Sequence, residues 1–293
     1  MKVDLPLHGH AVATSATAEL PRACELPPAG FKSRRARLPA LVRGLATSLL
    51  GERAPGEDTA VIVGTALGCL TETAAFVENM IEGEGAAPKP RAFTASVHNA
   101  IASELARQLG ARGECQTFVG GESSLVQALF AAWRLRARGH AGEVLVGAVD
   151  EWTEHVARGR AACDASPEPA EGGALFRVGP AGEAASARLC GLAWGRPEQG
   201  ARWLRRELEE QGVEAVLVSP ACNALVGEDV ASASFPAGDF PSAAAVALGC
   251  LVARLSGELE ARALGLPPDA RRLAVATRTR LGELSLIVVE PAA

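Results

Sequence analysis

No Cys-x-x-C pair occurs in the 293 residues, and the seven cysteines (Cys24, Cys69, Cys115, Cys163, Cys190, Cys222 and Cys250) are scattered and odd in number. A disulfide framework and a zinc site are therefore not expected, and a reducing cytosol is the expected compartment. The N-terminus, MKVDLPLHGH, lacks an apolar h-region, so no signal peptide is expected. No apolar run reaches membrane-spanning length; the longest, Ser242 to Ala253, is too short. The glycines between Gly64 and Gly68 do not make a G-x-G-x-x-G fingerprint, which leaves no nucleotide-binding signal. Excess positive charge is missing too: the net charge is -5 and the pI about 5.7, against a nucleic-acid partner. Only three lysines stand against 26 arginines, a compositional bias that carries no chemistry.

What is present is an ordinary globular composition, 48% apolar and 22% charged, long enough for one large domain or two small ones. Apolar runs predict buried strands at Thr59–Val63, Glu143–Ala148, Ala187–Leu192, Val213–Ser219, Leu273–Ala276 and Ser285–Val289. Ala-rich segments with helical spacing lie between them: Leu70–Glu82, His98–Leu109, Ser123–Ala137, Gly200–Gln211 and Pro241–Glu258. Glu82–Pro90, Ala157–Gly173 and Leu264–Asp269 read as loops. Strands buried on both faces and covered by helices imply a layered α/β fold. A faint internal repeat relates Gly120-Gly121-Glu122-Ser123-Ser124 to Ala237-Gly238-Asp239-Phe240-Pro241-Ser242. In both, a glycine and an acidic residue precede a long Ala-rich helix.

The run from Phe93 to Glu151 resembles the N-terminal half of a β-ketoacyl synthase, a thiolase-fold condensing enzyme. Ser96-Val97-His98-Asn99-Ala100 opens a helix that Leu109-Gly110-Ala111-Arg112-Gly113 closes. Thr117-Phe118-Val119 matches the short strand, and Glu122 to Leu129 fits the nucleophile helix without a gap. Val144 to Ala148 matches the next strand. Val61 to Gly68 is similar to the family's strand and Gly-Thr-x-x-Gly loop, and Glu171 to Phe176 to its Glu-Gly-Ala strand. Gly238 to Ala244 is similar to its Gly-His-x-x-Gly-Ala-Ala. The resemblance is strongest to short synthase-like and chain-length-factor proteins of aryl-polyene and type II polyketide systems. It implies a thiolase-like αβαβα architecture of two duplicated halves, 1–180 and 181–293, reduced in length and forming one compact unit.

The departures from that family bear on function. The family's catalytic Cys position is filled by Glu122, the first His position falls on Ser219, and the second on Asp239. No histidine follows His155, so the family's usual histidine pair is absent from the second half. A carboxylate cannot form the stable acyl thioester that a thiolate forms at a helix N-terminus. Ser219 offers one weak donor where an imidazole would stabilise an oxyanion, and Asp239 adds negative charge. The family's Gly-Phe-Gly-Gly-Thr-Asn loop has become Arg278 to Glu283. The resemblance therefore implies a catalytically degenerate subunit beside an active ketosynthase, with an acyl carrier protein as a further partner. No cofactor, metal, nucleic acid or membrane is implied.

Two alternatives stay open: a thiolase-fold acyl-thioester decarboxylase or hydrolase using Glu122 or Asp239, and a homodimeric acyl-binding module. Single residues have plainer readings too. Glu122 suits a helix start beside two serines, and Asp239 suits the place before Pro241. Asn99 and His98 suit a helix cap, and Arg134, Arg136 and Arg138 suit a helix C-terminus.

Overall fold

The computed structural model describes residues 1–15, 20, 24–26, 37–83, 85, 90–162, 170–180, 182–236, 240–279 and 281–292. The strands in chain order are β1 (Lys2–Leu7), β2 (Gly9–Thr14), β3 (Ala60–Thr65), β4 (Cys115–Val119), β5 (Val144–Asp150), β6 (Gly172–Val178), β7 (Ala187–Gly195), β8 (Ala215–Val218), β9 (Ala231–Ser234), β10 (Leu273–Arg278) and β11 (Leu284–Pro291). The helices are α1 (Arg37–Leu50), α2 (Leu70–Glu82), α3 (Pro90–Ser96), α4 (Ala100–Leu109), α5 (Ser124–Ala137), α6 (Glu154–Ala162), α7 (Gly200–Glu210) and α8 (Ala243–Leu255).

Two mixed sheets result. One has the order β2-β6-β5-β3-β4; the other has β1-β7-β11-β10-β8-β9. Removing β1 from the second leaves β7-β11-β10-β8-β9, which has the topology of the first strand for strand. In each, two consecutive parallel pairs sit beside an antiparallel strand that closes the half. Helix α5 follows β4 as α8 follows β9. The weak sequence repeat therefore marks a structural duplication, the thiolase-like arrangement.

Helices α5 and α8 lie between the sheets and touch both. Helix α8 suits the position because its face pattern has vanished: eleven of its residues, Ala243 to Ala253, are buried. Its small side chains admit close approach, and at Gly249 an added Cβ would meet Val12 at 2.6 Å. Helices α1 and α4 cover the outer face of the first sheet, sharing a core with Val61, Val63, Leu145 and Leu175. Helix α7 covers the second sheet through Leu204 and Leu208, its remaining face being charged. The layers are thus α, β, α, β, α.

Several elements differ from the sequence reading. Helix α1 was not expected, although Leu38, Leu41, Val42 and Leu45 stand at helical spacing and Pro39 sits in the first turn. Ala157–Gly173 is not wholly loop: α6 runs to Ala162 and β6 begins at Gly172, while 163–169 lie outside the described residues. Strands β1, β2 and β9 were also unexpected. They are short, and β9 alternates half-buried and exposed small residues rather than forming an apolar run.

Candidate functional site

The parallel strands of both sheets end near one another, and their following loops surround a cavity of about 500 Å3. Ala66 and Leu67 come from the loop after β3, Gly120 to Glu122 from the loop after β4, and Thr279, Leu281 and Glu283 from the β10–β11 turn. Helix α6 adds His155 and Val156. Carboxyl ends of parallel strands are where α/β sheets hold ligands, because the loops are free to carry chemistry there.

The β4–α5 junction is tightly built. Gly121 has φ +61°, a left-handed conformation that favours glycine, and it turns the chain into α5. Ser124 Oγ accepts the Gly120 N–H at 2.9 Å and donates to the Thr65 carbonyl at 2.7 Å, joining this turn to the end of β3. Glu122 is half-buried, one residue before the buried Ser123, and lines the cavity. It stands at the N-terminal end of a fourteen-residue helix, where the exposed backbone N–H groups favour an anion.

The β10–β11 turn reaches the same place. Ser123 donates its hydroxyl to Glu283 Oε2 at 2.6 Å, across 160 residues of sequence. Glu283 N–H in turn donates to Thr279 Oγ1 at 3.1 Å, which fixes the turn. The resemblance matched Arg278 to Glu283 to a site loop of the family but gave Glu283 no role; the fold brings its carboxyl group beside α5. His155 was missed, since it falls at the start of a helix that read as near-loop.

Ser219 is buried at the end of β8 and accepts the Arg278 N–H at 3.3 Å. It does not line the cavity but adjoins Cys222. Burial chiefly pushes the Cys222 thiol up to about 11, and the Glu122 carboxylate adds to this while a Ser219 hydrogen bond and Arg278 oppose it. Glu122 and Ser219 thus belong to one electrostatic neighbourhood from opposite halves. Asp239 lies outside the described residues.

Other expected positions have structural roles. His98 packs against Gly68, where an added Cβ would collide with Nδ1; Asn99 begins α4 but makes no side-chain cap bond. Arg136 donates to the Ala141 and Gly142 carbonyls at 2.8 and 2.7 Å, closing the turn after α5.

The family model for the β-ketoacyl synthase N-terminal domain matches residues 16–167, just over half of the chain. This chain belongs to the β-ketoacyl synthase family. No curated protein matches it. Solved structures share the fold of this synthase-family chain. The ishigamide ketosynthase/chain length factor superposes with a TM-score of 0.72 at 23% identity, covering 91% of this chain and 83% of its own. A type II polyketide acyl-carrier protein complex with its ketosynthase gives 0.73 at 14% identity, with both chains fully covered. A β-ketoacyl synthase from Burkholderia phymatum gives 0.67 at 13% identity, again with full coverage of both. Among the described residues no group of three or more His, Cys, Asp or Glu is arranged to hold a metal ion, and no helix is long and apolar enough to cross a membrane.

Proposed function

We propose that this chain is a non-condensing partner subunit of an active ketosynthase, of the chain-length-factor kind, in polyketide or fatty-acid-type biosynthesis. The observation that carries the reading is Glu122. It stands at the start of α5, on the wall of an apolar cavity, and the sequence resemblance aligns it with the family's thiol nucleophile. The halves 1–180 and 181–293 act together here, since the cavity takes residues from both.

The chemistry follows from the charges. Condensation would require a thiolate to hold the growing chain and cationic or neutral donors to stabilise the enolate from malonyl decarboxylation. Glu122 and Glu283 instead bring carboxylates to the cavity. They oppose a malonyl carboxylate and cannot form a stable thioester. The walls contributed by Ala66, Leu67, Leu70, Val156 and Leu281 are apolar and suit an acyl chain held without reaction. Strand β4 supports a partner: it pairs only with β3 among the described residues and forms the open edge of its sheet. An acyl carrier protein is the partner that would deliver the chain to such a complex.

The test is an affinity pull-down of the tagged protein from its native cells with mass spectrometry. Co-purification, at near-equal amount, of a ketosynthase that retains Cys and both His is the expected result. Recovery of the protein alone as a homodimer would overturn the reading. The second reading, an acyl-thioester hydrolase or decarboxylase, is favoured by one observation: His155 shares the cavity with Glu122 and Glu283. It takes over if the chain alone turns over a thioester and Glu122→Ala abolishes that turnover.

A further inference from the structure

Behind one wall of the cavity lies a second group of acids. Glu151 follows β5 directly and is only 6% exposed. Its Oε1 accepts the Thr71 hydroxyl at 3.0 Å, at the start of α2. Its Oε2 is buried and has no hydrogen-bond partner among the described residues, and Oε2 of Glu72, on the first turn of α2, is in the same condition. Glu151 lines a recess of about 10 Å3, room for a single water-sized occupant, which shares Leu67, Leu70, Val156 and Pro241 with the large cavity.

The helix above this pair is lightly held. None of the thirteen residues of α2 is fully buried, and Val77 and Ile81 are 46% and 72% exposed. Its main neighbour is α3, through the Phe76 and Phe93 rings at 5.5 Å and a Thr73 hydroxyl bond to the Ser96 carbonyl at 3.1 Å. Phe93 is itself 54% exposed. At the root, Gly68 has φ +69° and Cys69 is fully buried. The root is also part of the cavity rim, through Leu67 and Leu70.

We propose that Glu151 is a proton-operated latch at the root of α2: protonated, it seats that root against the cavity rim, and ionised, it lets the α2–α3 unit loosen and the rim open. A buried carboxylate oxygen without a partner is costly, whereas the neutral carboxyl avoids the cost of burying a charge. Charged and titratable groups face Glu151 from each neighbouring element. Helix α2 offers Glu72, and the turn before it offers the Cys69 thiol. Helix α4 offers Glu104, which acts on Cys69. The segment before β6 offers Glu171, and β5 offers Asp150, adjacent in sequence. Helix α1 offers Arg37, which is bidentate on Glu171 and also attracts Glu151 through space. Helix α6 offers His155, on the cavity side.

The protonation balance agrees with this geometry. Burial, then Glu72, push Glu151 up to about 7, with Glu171 contributing last and the Thr71 bonds opposing. Burial also raises Glu72. A carboxyl raised in the folded state stabilises below its unfolded value, near 4.5, and loses that stabilisation as pH climbs through about 7. The latch is therefore closed at pH 6 and open by pH 8.5. Its meaning as a gate rests on the cavity being an acyl site; the latch itself does not.

The experiment is amide hydrogen exchange on the chain alone, resolved to residues 70–82 and corrected for intrinsic pH dependence. Protection in α2 is expected to fall by at least ~10-fold between pH 6 and 8.5, while β3 and β5 stay unchanged. Glu151→Gln keeps an acceptor for Thr71 and is expected to hold α2 protected at both pH values. Glu72→Gln is expected to move the midpoint to lower pH. Flat protection in the wild type, or an unchanged pH response in Glu151→Gln, overturns the latch. Should Glu151→Gln fail to fold, an unmoved midpoint in Glu72→Gln does the same. None of these results depends on whether a ketosynthase co-purifies.

Discussion

On the proposed reading Glu122 puts a carboxyl group where the family's chemistry needs a thiol, and the surroundings decide whether restoring sulfur would restore function. A cysteine there would sit at the N-terminal end of α5, which lowers a thiol pKa and makes it nucleophilic. The four buried cysteines are poor competitors. Burial chiefly pushes Cys69 and Cys250 up to about 12, and Cys190 and Cys222 up to about 11. Glu122→Cys is therefore expected to take one acyl group from an acyl thioester, seen by peptide mass spectrometry at position 122. It is not expected to condense with malonyl thioester, because no histidine follows His155 to stabilise the enolate. Release of carbon dioxide from malonyl thioester by this variant would show that Ser219 and the Arg278–Glu283 turn suffice for the second half of the chemistry.

Elements are tied across the duplication by Asp150. The carboxylate at the end of β5 accepts the Thr65 hydroxyl at 2.7 Å and the Ala66 N–H at 2.8 Å after β3, and also the Ser242 hydroxyl at the start of α8. Burial pushes its pKa up to about 6, and those hydrogen bonds hold it down from a higher value. The folded state thus retains a proton that the unfolded chain loses near 3.8, so this group's contribution to stability falls as pH rises from about 4 to about 6 and is level above that. The size is on the order of 2–3 kcal/mol. Asp150→Asn removes this slope but leaves one hydroxyl facing an amide NH2, at a cost of about 1–3 kcal/mol. Denaturant unfolding of both proteins from pH 4 to 7 checks it: the difference between their stabilities should narrow toward pH 6. A constant difference would mean that Asp150 does not titrate in that window.

The same scale explains what the sequence could and could not reveal. Strands such as β3, β5 and β10 are continuous apolar runs buried on both faces, so composition alone marks them. Helix α8 is legible for the same reason. The position of Glu122 is legible because the Gly-acid-Ser start and the alanine spacing of α5 survive. The partners of that position are not. Glu283 reaches Ser123 through a turn 160 residues away, and Glu151 meets Thr71 80 residues away. Contacts of that kind come from sheet order, which local pattern does not encode. Edge strand β9 and strand β2 are short and rich in small residues, so they carry too little periodicity to declare themselves.

For the whole molecule, the open edge at β4 governs whether the chain works alone. Its residues alternate little in burial: Cys115 and Val119 are exposed, and Gln116, Thr117 and Phe118 are half-buried. Beneath it, Phe118, Phe130 and Trp194 line a groove of about 360 Å3, with Phe130 and Trp194 rings 5.1 Å apart. Natural edge strands are usually blunted by lysine, proline or a bulge; β4 carries none of these. Such an edge offers backbone donors and acceptors to an added strand, and the aromatic groove offers the apolar anchor that concentrates binding energy. Cys115→Lys with Val119→Lys places two charges on that edge without touching the core. Each position is exposed, so the monomer should keep its stability to within about 1 kcal/mol. The ketosynthase expected in the pull-down should then be lost, and light scattering should report a monomer. If the doubly substituted chain still brings down its partner in wild-type amount, the interface lies elsewhere, and the next surface to alter is the exposed α2–α3 face at Val77, Ile81 and Phe93.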